Sequence, residues 1–233
     1  MKKIKKLPDI GIYRAITIIM FILFLTSVSN VAGQGNVVMV DKFSGQKDEN
    51  GVPLGWELEK KEGNVDIRIE HVGDNFYLHF VSRRSSFGVK KKVAFRIEDF
   101  PILNWAWKAG KLPKGGDVRG KSTDDQAAQV YIAFPKFPAT LNTRIIGYIW
   151  DNECSKGSTV TSQWWSKLKC IVLRDKTDKL NQWFKERRNV YEDYKRLFGE
   201  DPPKVGGISL YINSQHTKSS AESYFDDVYF TKK

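Results

Sequence analysis

Along most of the chain, apolar side chains recur at every second position. Val65, Ile67 and Ile69 alternate with Asp66, Arg68 and Glu70. The same period runs through Phe76–Phe80, Val93–Ile97, Leu103–Trp107, Val130–Phe134, Ile146–Trp150 and Ile208–Ile212, with a last run at Tyr224–Phe230. In an extended strand this spacing puts successive apolar groups on one face, so each run predicts a half-buried strand. Gly, Pro, Asn and Asp separate the runs. The pattern predicts a mostly β fold, an antiparallel two-sheet sandwich of jelly-roll-like form. Nothing alternates strand with helix as a parallel nucleotide-binding sheet requires. One segment breaks the period: in Asp178–Phe198 the residues Leu180, Trp183, Phe184, Tyr191, Tyr194 and Phe198 fall at three- and four-residue steps. This predicts one flanking amphipathic α-helix, with Asp178 as N-cap, Gly199 as C-cap and Pro202–Pro203 preventing continuation. Trp183, Tyr191 and Tyr194 would lay it on a sheet.

The first 33 residues follow another logic. Met1–Arg14 is basic, Ala15–Leu25 is apolar apart from Thr17, and small residues follow up to Gly33. That order predicts a signal peptide over 1–33 and a single sandwich domain over 34–233, exported to the periplasm or beyond the cell. The apolar run is shorter than the ~20 residues a spanning helix needs, so no stable membrane span is expected after cleavage. Composition fits one globular domain of 41% hydrophobic and 28% charged residues in 233. The whole chain carries a formal +11; without the leader's five basic residues and one acidic residue, about seven positive charges remain in excess. Basic residues on the predicted helix alternate with Glu186, Glu192 and Asp193, which reads as a solvated face and not a nucleic-acid surface. Cys154 and Cys170, the two cysteines, admit either one disulfide or two buried thiols. With His71, His79 and His216 they give no zinc spacing.

Candidate chemistry concentrates in Leu103–Ala128. Trp105 and Trp107 share a strand face, and an indole pair can stack on the C–H face of a sugar while Asp117, Arg119, Asp124 and Asp125 bond its hydroxyls. The competing reading makes both indoles core residues and the charges a local ion-pair network. The same carboxylates permit glycoside hydrolysis, for which two must stand ~5–10 Å apart. No nucleophile elbow, Walker loop or dinucleotide motif is present. At the chain ends, Asp41 and the Asp226–Asp227 pair offer hard oxygen ligands of the kind that hold Ca²⁺.

The segments NWAWKAGKLPKGGD (Asn104–Asp117), TDDQAAQVYIAF (Thr123–Phe134), IGYIWDN (Ile146–Asn152), RRNVYEDYKRLFGEDPPKVGGISL (Arg187–Leu210) and SYFDDVYF (Ser223–Phe230) together resemble a bacterial family of exported proteins, domain of unknown function 3047. The resemblance implies an exported β-sandwich without an established activity. Its pattern points to Trp105, Trp107, Asp117, Asp124, Asp125, Tyr131 and Trp150 as candidate site positions. The chain departs from the acidic stretch of many members at Asn213–Thr217, which here reads NSQHT. A looser resemblance, DKF to GW at the start and YFDDVYF at the end, is to jelly-roll carbohydrate-binding modules, and it implies a structural calcium on Asp41 and Asp227 or Asp226. Together these readings favour an exported non-enzymatic binding module for a glycan or cell-envelope component. A polysaccharide hydrolase or lyase using the loop carboxylates, and a structural envelope protein with a protein partner, are the alternatives.

Overall fold

The computed structural model describes residues 35–44 and 46–232, and the expected signal peptide lies outside them. The strands are β1 (Val37–Asp41), β2 (Glu57–Glu62), β3 (Ile67–Val72), β4 (Asn75–Arg83), β5 (Ser86–Phe95), β6 (Ile102–Lys111), β7 (Ala128–Phe134), β8 (Arg144–Trp150), β9 (Thr159–Thr161), β10 (Leu168–Arg174), β11 (Phe184–Asn189), β12 (Val205–Asn213) and β13 (Ser220–Thr231). Helix α1 (Ala139–Asn142) precedes β8, and α2 (Val190–Phe198) follows β11. They form two sheets. A six-stranded sheet has the order β11-β6-β13-β4-β3, with β1 paired to the last part of β13. A seven-stranded sheet runs β2-β5-β12-β7-β8-β10-β9. All pairings are antiparallel except β8 with β10. The mostly antiparallel sandwich expected from the alternation is the fold observed.

The sheets meet through large rings. Trp105 and Trp107 on β6 pack edge to face with centroids 5.4 Å apart. Across the sandwich Trp105 stacks on Tyr148 of β8 at 5.4 Å, and Trp107 meets Trp150 at 6.0 Å. Trp105, Trp107 and Trp150 are all at or below 2% exposed. These three candidate site residues are therefore core, and they offer no ring face to a ligand. Alternation fixes only that the pair shares a face; the aromatic partners on β8 draw that face inward.

The segment expected as one helix from Asp178 divides at Asn189. Its first part, Phe184–Asn189, pairs with β6 as the edge strand β11. The inward positions of β11 are polar yet satisfied: Glu186 accepts from the Trp107 indole at 3.0 Å and from Arg174 at 2.7 Å, and Arg188 forks onto the buried Asp193. Only the last nine residues are helical. The Asn189 side chain caps the first turn by accepting from the Glu192 amide at 3.1 Å, and Gly199 ends the helix in the left-handed region, where a Cβ would be strained. Tyr194, wholly buried, packs on Phe134 at 4.7 Å. Trp183 lies before β11, is 36% exposed, and edges onto Tyr77 and Tyr224 on the outer face of the six-stranded sheet.

The acidic residues at the chain ends have local partners. Asp41 accepts from the Trp56 indole at 2.8 Å, the Lys91 ammonium at 2.9 Å and the Phe43 amide at 2.7 Å. Asp226 accepts from Asn75 and from the Asp227 amide, and Asp227, at φ 50°, marks a bulge where β13 passes from β4 to β1. Among the described residues no group of three or more His, Cys, Asp or Glu side chains gathers as a metal site. A cation at Asp41 would have to compete with the Lys91 ammonium already bound there. Both cysteines are buried free thiols, and burial pushes the Cys170 thiol up.

Trp150→Ala removes a ring from the inter-sheet stack and is expected to cost about 3–5 kcal/mol in chemical denaturation. Trp183→Ala, on a partly exposed ring, should cost well under half of that. Equal losses in the two variants would show that the stack is not the main inter-sheet contact.

Candidate functional site

Strict alternation assigns the outer face of the seven-stranded sheet. Val89, Val130, Tyr148, Ile171 and Leu210 point into the core, so their neighbours point away. One outward row crosses β12, β7, β8 and β10 as Ser209, Tyr131, Gly147 and Cys170. The next crosses β2, β5, β12, β7 and β8 as Glu59, Gly88, Tyr211, Gln129 and Ile149. The two tyrosine rings lie down over glycines. A Cβ at Gly147 would sit 2.7 Å from the Tyr131 ring, and one at Gly88 would sit 2.2 Å from that of Tyr211. Glycine is required at both positions for the rings to form a floor on the sheet.

The long connection after β6, Leu112–Ala127, folds back over this face. Its Val118 joins Ile149, Cys154, Cys170 and Val172 in a second small core above β8 and β10. Buried carboxylates pin the connection. Asp151 accepts from the amides of Val118, Glu153 and Cys154 at 2.7–2.9 Å. Asp125, fully buried, accepts from the His216 amide at 3.2 Å and from the Thr217 amide and hydroxyl at 2.6 and 2.7 Å. Asp117 and Arg119 form an exposed forked ion pair. These charges serve the loop, Asp117 and Arg119 as an ion pair and Asp125 and Asp151 through neutral donors. Arg119 and Asp117 hold each other, and Asp125 has its acceptors filled.

Beside this small core a narrow polar groove runs over β12 and β7, with Tyr131 partly exposed and Gln129, Tyr211 and Asn213 nearly closed off at 2%, 3% and 8% exposed. A continuous set of hydrogen bonds runs along its floor: the Tyr131 hydroxyl donates to Gln129, the Gln129 amide donates to Asn213 at 2.7 Å, and the Asn213 amide donates to the Asp124 carbonyl at 2.6 Å. Gln126 donates to the Asp124 carboxylate at 3.0 Å. Burial holds the Asp124 carboxyl above the usual range, although hydrogen bonds from Gln126 and the Trp164 indole pull the other way. Burial likewise raises the Tyr131 and Tyr211 phenols, so both stay neutral donors. Trp164, on the turn between β9 and β10, is 40% exposed and stacks on His216 with centroids 5.6 Å apart and planes 24° apart. At the β2 side the Lys61 ammonium lies 4.6 Å from the Tyr211 ring centre.

Of the expected site residues, the structure brings Asp124 and Tyr131 together here, assigns Asp117, Arg119 and Asp125 to the loop, and buries Trp105, Trp107 and Trp150. Tyr211, Gln129, Asn213 and Trp164 were not expected. The first three were accessible to the same alternation, since Tyr211 lies between Leu210 and Ile212 and Gln129 precedes Val130. Trp164 stands outside any periodic run.

The profile of a family described as protein of unknown function (DUF3047) matches residues 55–229. No curated protein matches the chain in sequence. Among solved structures, the family 30 carbohydrate-binding module of the cellulosomal cellulase Cel9D-Cel44B of Clostridium thermocellum is similar at 9% identity, with 84% of this chain and 98% of that chain covered and a TM-score of 0.49. The family 11 module of Lic26A-Cel5E from the same organism gives 10%, 86% and 96%, and 0.48. The xyloglucanase domain of NopAA from Sinorhizobium fredii gives 11%, 76% and 93%, and 0.38. These likenesses, all with TM-scores below 0.5, carry nothing about activity.

Asp151 generates a pH prediction. Burial pushes its carboxyl from the ordinary 3.8 up to about 6. A folded-state pKa above the unfolded one gives a contribution to stability that is full below pH ~4 and lost as the pH rises through ~6, on the order of 2–3 kcal/mol. Unfolding free energy measured between pH 4 and 7.5 should therefore fall more steeply in the unaltered chain than in Asp151→Asn. Parallel profiles would contradict this.

Proposed function

The chain belongs to the family of proteins of unknown function DUF3047, a membership that assigns no activity, and we propose that it is an exported glycan-binding module whose recognition face is the groove over β12 and β7. One observation carries the reading: a solvent-exposed indole, Trp164, stands beside His216 and Asp124 at the edge of the face on which the two tyrosines lie flat. Sugars present an apolar C–H face and a polar rim. The Trp164 indole answers the first, and the partly exposed Asp124, Tyr131 and His216 answer the second. The groups are held by one another and by backbone, so binding requires little ordering of side chains. The leader expected over 1–33 supports a cell-envelope or extracellular glycan as partner.

The hydrolase alternative needs two open carboxyls. Asp117 is clamped by Arg119 and Asp125 by Thr217, which leaves Asp124 as the one loop carboxyl facing the groove. Binding is the better supported use of this face.

The test is a glycan panel that includes peptidoglycan and neutral and acidic polysaccharides, each with and without calcium, read by calorimetry on the purified protein. Trp164→Ala should lower the affinity for any bound glycan by about 1 kcal/mol or more, the scale of an aromatic contact, while leaving the melting temperature within ~2 °C, as expected for an exposed ring. Full affinity in that variant would remove the groove from the binding surface.

A further inference from the structure

Resting on the reading of the groove as a glycan site, we propose that it selects acidic sugars, with Lys61 and Lys121 meeting a carboxylate, sulfate or phosphate on the polymer from its two sides. Neighbouring cations are already neutralised. Lys90 pairs with Glu57 and Glu59 at 3.5 and 3.6 Å, Lys91 with Asp41 at 2.9 Å, and Arg119 with Asp117 at 2.7 Å. Lys61 and Lys121 differ. Their ammonium groups rest instead on the aromatic rings of the groove, Lys61 at 4.6 Å from the Tyr211 centre and Lys121 at 5.3 Å from that of Trp164. Burial pulls the Lys61 ammonium below its ordinary pKa, while Glu59 and Asp124 oppose that by attracting its charge without closing an ion pair on it. Glu59 is shared with Lys90 and Ser209, and Asp124 is engaged by Gln126 and Trp164.

Two consequences follow from this placement. A ring face holds an ammonium more weakly than a carboxylate does when both are partly shielded from water, so each lysine is free to turn toward an incoming anion. Lys121 stands beside the exposed Trp164 ring, and Lys61 covers the Tyr211 ring, which is 3% exposed while that side chain lies over it. An anionic substituent on a stacked ring would thus fall within reach of a charge from either side.

The matched probes are polygalacturonate oligomers and the same oligomers with their carboxyls reduced, titrated into the purified protein at roughly 50 mM and 500 mM salt, where screening differs severalfold. The acidic form should bind about tenfold tighter at low salt, as charge-assisted contacts do, and lose most of that margin at high salt. The double variant Lys61→Gln/Lys121→Gln should bring the acidic-to-neutral ratio close to one, whereas Lys47→Gln, on the segment before β2, should leave the ratio as it was. Sulfated galactan and a phosphate-bearing polymer, run as further arms, identify which anion is preferred. Binding of the reduced oligomer with no preference for the acidic one would overturn the selectivity and leave the groove reading intact. A preference that survives the double variant would overturn the assignment to these lysines. Silence from every sugar, acidic or neutral, with a folded protein, would overturn both.

Discussion

The structure depends on one contact, the stack of Trp105 and Trp107 on β6 against Tyr148 and Trp150 on β8. Four large rings joining two sheets fix which side of each strand faces inward. Because the side-chain period is two, a one-residue slip would turn every outward group on that strand into the core. The outer face is therefore set by the inner one. Tyr131 and Gln129 point out because Val130 and Ile132 point in, and Tyr211 does so because Leu210 and Ile212 do not. Glycines at 88 and 147 then let the outward tyrosines lie flat. The recognition face proposed above follows from core packing plus two missing Cβ atoms.

The Leu112–Ala127 connection adds the remaining constraint. By closing a small apolar core over β8 and β10 it covers that half of the outer face. Buried carboxylates anchor it, Asp151 from just after β8 by holding the Val118 amide and Asp125 at the end of the connection by gathering the Thr217 amide. Buried carboxylates satisfied in this way hold a loop in one conformation, and here that conformation brings Asp124 to the groove. The residues richest in apparent chemistry thus act largely by placing their neighbours.

Much of the fold was legible because the strands β4, β6, β7, β8 and β12 alternate cleanly. What escaped has identifiable reasons. Strand β2, ELEKKE, is a charged edge strand with almost no buried side, so no apolar rhythm marks it. Strand β11 was read as helix because its inward positions are Glu186 and Arg188, satisfied by Trp107, Arg174 and Asp193, interactions invisible until the partners are in place. The Trp105–Trp107 pair was correctly put on one face, but periodicity does not say which face is core. Tyr131 and Asp124 were found as candidates. Trp164 was not, since its exposure is decided by a turn between β9 and β10 rather than by any pattern.

The central claim is that the outer face of the seven-stranded sheet, and not that of the six-stranded sheet with its own cluster of Trp183, Tyr77 and Tyr224, is the recognition surface. It is tested most directly by mapping NMR chemical shifts during titration with a bound glycan. The account predicts shifts concentrated at the Trp164 indole N–H and at Gln129, Tyr131, Tyr211 and Asn213. Shifts concentrated at Tyr77, Lys108, Trp183 and Tyr224, with the groove unmoved, would contradict it.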